Sequence, residues 1–155
     1  MSNHFRELTM QLTLFTDYAL RSLIFLAAHP ERSSSVKEIA EHYGISRNHL
    51  VKIVHKMATL GLIESTKGKG GGIRLAGDPT AMRLGDVVRK MENMEIVVCF
   101  NQDTNTCRIS EACRLKHILY EAMNSFIQTL NKYTLTDAAI SKDIFAAMMG
   151  KSSLS

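Results

Sequence analysis

SVKEIAEHYGISRNHLVKIVHKMATLGLIESTKGKGGGIRL, residues 35–75, decides the fold. Ser35 followed three residues later by Glu38 is a capping box, in which serine and glutamate satisfy each other's backbone donors and open a helix. Gly44 ends that helix in a tight turn. Ser46 caps a second helix running to about Leu60, closed by Gly61. Helix, short turn and helix is helix-turn-helix spacing. Leu62 to Ser65 and Ile73 to Leu75 read as two short strands joined by the loop Lys67–Gly72. A β-hairpin directly after the second helix of such a pair is a wing.

At about 100° per residue, Asn48, His49, Lys52, His55 and Lys56 share one side of this helix. Leu50, Ile53, Val54, Met57 and Leu60 occupy the other. Such a helix docks on its own domain and offers hydrogen-bonding groups outward. Arg47, Asn48 and His49 form its first turn, the part that reaches base edges in helix-turn-helix proteins. Asn48 suits an adenine, and Arg47 a guanine or a phosphate. Lys52 and Lys56 suit phosphates, because a flexible ammonium positions without specifying. Val51, at the edge of the polar face, is placed to touch a thymine methyl. Lys67, Lys69 and Arg74 bring charge to the wing. An ordinary amphipathic surface helix shares the pattern of the helix alone. The capped helix before it and the basic hairpin after it favour double-stranded DNA. A phosphate-cradling P-loop needs Gly-Lys-Ser/Thr at the start of a helix; here Lys69 precedes three glycines and a strand.

Charge supports this reading. From Ser46 to Ala76 there are six basic residues and one acid, more positive than the whole chain's net +4. A local excess of this kind suits a polyanion. Around this segment, Leu14–Ala28 follows helical spacing through Phe15, Tyr18, Ala19, Leu23 and Leu26, with Thr13 or Thr16 as cap and Pro30 as stop. A short loop, residues 31–34, leads into Ser35. Leu84–Met91 is a further helix. Residues 92–113 are irregular, and Leu115–Tyr133 is a long amphipathic helix with Leu115, Ile118, Leu119, Ala122, Phe126, Leu130 and Tyr133 on one stripe. A last helix covers roughly 136–148. The fold class is therefore mainly α with a small β-hairpin wing. Residues 1–9 read as a disordered extension, 10–78 as the winged helix-turn-helix, 79–148 as loop and dimerisation helices, and 149–155 as a disordered tail. No apolar run reaches the length of about 18 needed for a membrane span, and no signal peptide is evident. A cytoplasmic location is expected. No nucleophile–base pair or dinucleotide fingerprint points to an enzyme.

The three cysteines, Cys99, Cys107 and Cys113, are separated by seven and then five residues. No Cys-x-x-Cys pair occurs, which disfavours a zinc knuckle or a thioredoxin-like site. Spacing leaves three readings open: unconnected thiols, a metal cluster, or a thiol-oxidation switch. A cluster would need a fourth ligand, with His117 or a carboxylate as candidates. Arg108, Arg114 and Lys116 lie close enough in sequence to offset thiolate charge.

MQLTLFTDYALRSLIFLA (10–27), ISRNHLVKIVHKM (45–57), GLIESTKGKGGGIRL (61–75) and CRISEACRLKH (107–117) together resemble the NsrR/IscR family of winged-helix iron–sulfur regulators. The resemblance spans about Met10 to Leu135. It implies a homodimer in which the long helix crosses its partner. In the nitric-oxide-sensing branch it implies a [4Fe–4S] cluster on Cys99, Cys107 and Cys113, with Asp17 from the first helix of the partner subunit as fourth ligand. Arg21, one turn beyond Asp17, is placed to orient that carboxylate. The implied function is a repressor that leaves operator DNA when nitric oxide reacts with the cluster. The IscR branch holds [2Fe–2S] with a histidine three residues after the last cysteine; here Lys116 stands there and His117 comes one later. That departure favours the nitric-oxide-sensing branch. A [2Fe–2S] regulator of iron–sulfur biogenesis and a thiol-based redox repressor are the alternatives.

Overall fold

Thr13 accepts a hydrogen bond from the Thr16 N–H and starts the helix on which everything else packs. The computed structural model describes residues 11–96, 100–103 and 105–141, with Ile144 and Ala147. In chain order the elements are α1 (Leu14–Ala28), α2 (Val36–Tyr43), α3 (Arg47–Thr59), β1 (Ile63–Thr66), β2 (Gly72–Leu75), α4 (Leu84–Met91), α5 (Arg114–Leu130) and α6 (Leu135–Ala138). The expected 1–9 extension, the 149–155 tail and Cys99 lie outside the described residues.

α1 is apolar on most sides because it meets α3, α4, α6 and β2. Ala19, Leu23 and Leu26 are buried, and Phe15 and Tyr18 pack at the margin. One core joins Ile39 of α2, Leu50, Ile53 and Met57 of α3, Ile63 and Ile73 of the hairpin, Val87 and Met91 of α4, and Leu135 of α6. Burying side chains of this size contributes about 1.5–3 kcal/mol each, so this cluster fixes how α3 is presented.

The turn between α2 and α3 depends on Gly44, whose φ of 65° and ψ of 33° place it in the left-handed region that favours glycine. The expected capping box forms in its first half: Ser35 Oγ accepts from the Glu38 N–H at 3.0 Å. The Glu38 carboxylate is drawn chiefly to Arg32, whose guanidinium holds it below the usual carboxylate range. Residues 31–34 are also more than a loop. Ser34 bridges Ile73, donating its N–H at 2.9 Å and accepting from the Ile73 N–H at 2.8 Å. A Cβ on Gly72 would lie 2.7 Å from the Ser34 carbonyl oxygen, so this close approach requires glycine. The wing is thus anchored at its base by a third backbone segment.

Two helix boundaries differ from expectation. α5 stops at Leu130, and Tyr133 lies beyond it. The last helix, expected across 136–148, is interrupted: α6 closes at Ala138, where Ala139 turns extended at ψ 134°, and Ile144 and Ala147 are again helical. The Thr134–Asp137 capping box drives this short helix: Thr134 Oγ1 accepts from the Asp137 N–H and Asp137 accepts from the Thr134 N–H at 2.8 Å. No described helix is long and apolar enough to cross a membrane.

Candidate nucleic-acid interface and cysteine loop

α3 turns Leu50, Ile53, Val54 and Met57 inward, leaving Arg47, Asn48, Lys52, His55 and Lys56 exposed on its outer side. His49 is half-buried, its ring edge-on to Tyr18 at 5.5 Å, so it bridges α3 to α1 as well as bordering the polar face. Val51 is 48% exposed beside these polar groups. Ser46 sits at the N-cap position, as its sequence suggested, yet its hydroxyl caps nothing. The first-turn N–H groups of α3 are therefore open to an outside acceptor such as a phosphate.

The hairpin pairs Glu64 with Arg74 and Thr66 with Gly72. Lys67 and Lys69 lie exposed at its tip. Arg74 Nε lies 3.6 Å from Glu64 Oε2 across the strands, which divides its charge between Glu64 and any outside anion. Among the described residues Arg47, Lys52, Lys56, Lys67 and Lys69 have no ion-pair partner. The sequence-predicted cations of helix and wing are thus exposed on consecutive elements, with Arg74 already engaged.

The second site is the segment after α4. Cys107 is exposed and Cys113 half-buried, both as free thiols. The loop is held by local turns: Asn93, Asn101 and Asn105 side chains accept from the N–H groups of Glu95, Asp103 and Cys107, each two residues ahead. Cys113 is the N-cap residue of α5 and makes no capping bond. Arg108, Arg114 and His117 are exposed nearby. On α1, Arg21 grips Asp17 through two contacts, Nη2–Oδ2 at 2.8 Å and Nε–Oδ1 at 3.2 Å, as expected. Among the described residues no three His, Cys, Asp or Glu side chains of one chain gather as a metal-holding group. Asp17 is therefore not joined with Cys107 and Cys113 within one chain.

Two connections were missed in the sequence. Glu92, at the root of the cysteine loop, accepts from both the Thr13 N–H (3.0 Å) and the Thr13 hydroxyl (3.1 Å). It ties the loop to the turn of α1 that carries Asp17. Asn131, just past α5, hydrogen-bonds to Asp86 of α4. The second had a signal: Arg83, at the N-cap of α4, offers no side-chain acceptor.

A helix-turn-helix whose second helix bears an outward polar face, followed by a basic wing, defines a winged-helix transcription regulator. Residues 12–140 match the family Rrf2, described as iron-dependent transcriptional regulators, and the chain belongs to that family. It is similar to the HTH-type transcriptional regulator NsrR of Shouchella clausii (strain KSM-K16), 49% identical over 142 residues, covering 90% of this chain and 95% of that one. The NsrR of Bacillus subtilis (strain 168) is 49% identical over 136 residues, covering 86% and 93%. Among solved structures, T. potens IscR superposes with a TM-score of 0.66 at 25% identity, covering 83% of this chain and 85% of that one. CymR (YrzC), the global cysteine regulator of B. subtilis, shares the fold with a TM-score of 0.63 at 24% identity, covering 84% and 97%. The protein is a regulator, not an enzyme.

Proposed function

We propose that the protein is a homodimeric repressor whose hold on operator DNA depends on a [4Fe–4S] cluster and is released by nitric oxide. The ligands in this reading are Cys99, Cys107, Cys113 and the partner subunit's Asp17. The observation that carries it is Cys113, a free thiol at the N-cap of the long helix α5. Anything that moves this sulfur moves the start of α5. The donor set fits an iron–sulfur group: Cys107 and Cys113 are free thiols, one exposed and one half-buried at a helix N-cap, with basic residues flanking them. When bound, the cluster supplies iron that nitric oxide attacks.

α5 supports the dimer. Ile127 is buried against the chain's own helices, whereas Leu115 is 61% exposed, Ile118 56% and Phe126 42%. A bare apolar stripe of this kind marks an interaction surface, and a second copy of α5 offers a complementary one. Two α3 helices then enter successive major grooves, about 34–36 Å apart on one face of the duplex. Arg47, Asn48 and Val51 contact base edges; Lys52, His55, Lys56 and the wing residues Lys67, Lys69 and Arg74 hold the backbone.

The test is anaerobic purification followed by visible absorbance, iron and sulfide analysis and nitric-oxide titration of the operator complex. A broad visible band, about four irons per chain and release of DNA by nitric oxide are expected. Cys99→Ser, Cys107→Ser and Cys113→Ser should each lose the band, and His117→Ala should keep it. A colourless wild type that leaves DNA on thiol oxidation would instead establish the thiol switch.

A further inference from the structure

The first N–H groups of any helix need acceptors from outside the helix. α4 cannot supply its own, because its N-cap residue is Arg83, which makes no capping bond. The acceptors come from the segment after α5. Asn131 Oδ1 accepts from the Asp86 N–H at 2.9 Å, and the Tyr133 carbonyl accepts from the Leu84 N–H at 3.0 Å. Asn131 Nδ2 donates back to Asp86 Oδ1 at 3.1 Å, and its carbonyl receives Arg83 Nη1 at 3.3 Å. The Leu135 N–H, in turn, donates to the Met82 carbonyl at 3.0 Å. Gly85 completes the joint. A Cβ there would lie 2.4 Å from Asn131 Oδ1 and 2.5 Å from the Ile127 carbonyl, so the two helix ends meet at a distance only glycine permits.

α5 is therefore held very differently at its two ends. Its last turn is bonded to α4, which packs on α1, which packs on α3. Its first turn emerges from the cysteine loop with Leu115 and Ile118 bare. At 17 residues the helix is about 25 Å long; it packs along α4, with Tyr120 edge-on to Phe100 at 6.1 Å, and its C-terminal end is locked by Asn131. The geometry points to Asn131, with Asp86 and Gly85, as the joint that fixes the angle between the dimerisation helix and the DNA-reading domain. It is a positioning element that sets which half-site spacing the dimer accepts. This rests on the dimeric DNA-binding reading above. In a two-fold dimer, any play at this joint appears twice in the separation of the recognition helices.

The experiment uses the full chain, purified anaerobically, and a duplex selected by the wild-type protein from random-sequence DNA. Three forms of that duplex are compared: the selected spacing, the spacing changed by one base pair, and a single half-site. Wild type should prefer the selected spacing by at least about tenfold. Asn131→Ala should remain dimeric by sedimentation and bind the single half-site within about twofold of wild type, while its spacing preference shrinks below about threefold. The exchange of both partners, Asn131→Asp with Asp86→Asn, restores the reciprocal bonds and should restore the preference. If Asn131→Ala fails to fold, Asn131→Asp, which keeps the acceptor for the Asp86 N–H, carries the same test and should show a weakened preference. An unchanged spacing preference, or an equal loss on all three duplexes including the half-site, overturns the inference. A wild type that selects no duplex, or selects only single half-sites, overturns the dimeric reading and this inference with it.

Discussion

The recognition helix and the cysteine loop are ordered by opposite means. α3 is held from below by Leu50, Ile53 and Met57, none of which retains any exposure. The described residues of the loop have little such footing. Ile96 and Ile109 are exposed, Phe100 meets Tyr120 edge-on, and three asparagine side chains accept from N–H groups two residues ahead. A region held by a shared core keeps one shape. A region held by local turns takes the shape its ligands impose. The difference fits the proposed roles, a rigid reader in the core-held half and a half open to chemistry at its thiols in the other. The fixed end of α5 and the clasp of Glu92 on Thr13 are where one half reaches the other.

The largest effect should follow from removing the reader's footing. Leu50→Ala empties a fully buried site under α3 and should cost about 2–5 kcal/mol, read as a fall in the unfolding midpoint. Cys113→Ser, measured the same way on the metal-free chain, should change stability by less than about 0.5 kcal/mol while abolishing iron content. Comparable destabilisation by the two would break the division into held and unheld halves.

Next comes the bridge between the halves. Asp17→Ala should leave the fold intact and make the cluster more labile to an iron chelator, because the proposed oxygen ligand is gone. Chelation kinetics identical to wild type would remove Asp17 from the site. Glu92→Ala frees the Thr13 N–H and hydroxyl and should increase lability in the same direction by a smaller factor.

Lys52→Ala probes the reader alone. Binding should weaken to a similar degree on all DNA sequences, and the salt dependence should flatten by about one unit of slope. A loss confined to one operator base would mean that Lys52 reads sequence.

The smallest effect is with pH. His42, at the end of α2, is kept below its usual pKa first by burial and then by the nearby charge of His29, with Glu38 acting the other way. Both imidazole rings pack on Phe25, and Tyr43 stands edge-on to the same ring. An unfolded histidine titrates near 6.5. The folded form binds the proton less readily, so stability is fully present above about 6.5 and declines as pH falls through the lowered value of His42. Thermal melts at pH 7.0 and at about 5.5 should show a modest loss in wild type and a smaller one in His42→Gln. Equal losses would remove His42 as the cause.

Much of the fold was legible because its signals are local. Periodicity located α1 and α4 residue for residue, and Gly44, Gly61 and the glycine run placed the turns. The polar and apolar sides of α3 could be read from helical spacing alone. What escaped is long-range. Nothing near Arg83 says that Asn131 will cap α4, and nothing near Glu92 says that it will hold Thr13. The stripe on α5 shows a third limit. Leu115, Ile118, Leu119, Ala122 and Phe126 are correctly one face, yet periodicity cannot say whether an apolar face meets its own core or another chain. In the folded chain Ile127 serves the first purpose, while Leu115, Ile118 and Phe126 stay exposed, the face the proposed dimer would cover. At the sites, exposed cations were legible from composition, whereas the engagement of Arg74 by Glu64 and of His49 by Tyr18 required the fold.

One measurement bears most directly on the link between thiol chemistry and DNA reading: the affinity of a single operator duplex for cluster-loaded dimer and for the same dimer stripped of iron anaerobically, at one salt concentration. The account predicts a fall of at least about tenfold on stripping, some 1.4 kcal/mol, with the dimer itself intact. Equal affinities for the loaded and stripped dimers would contradict it.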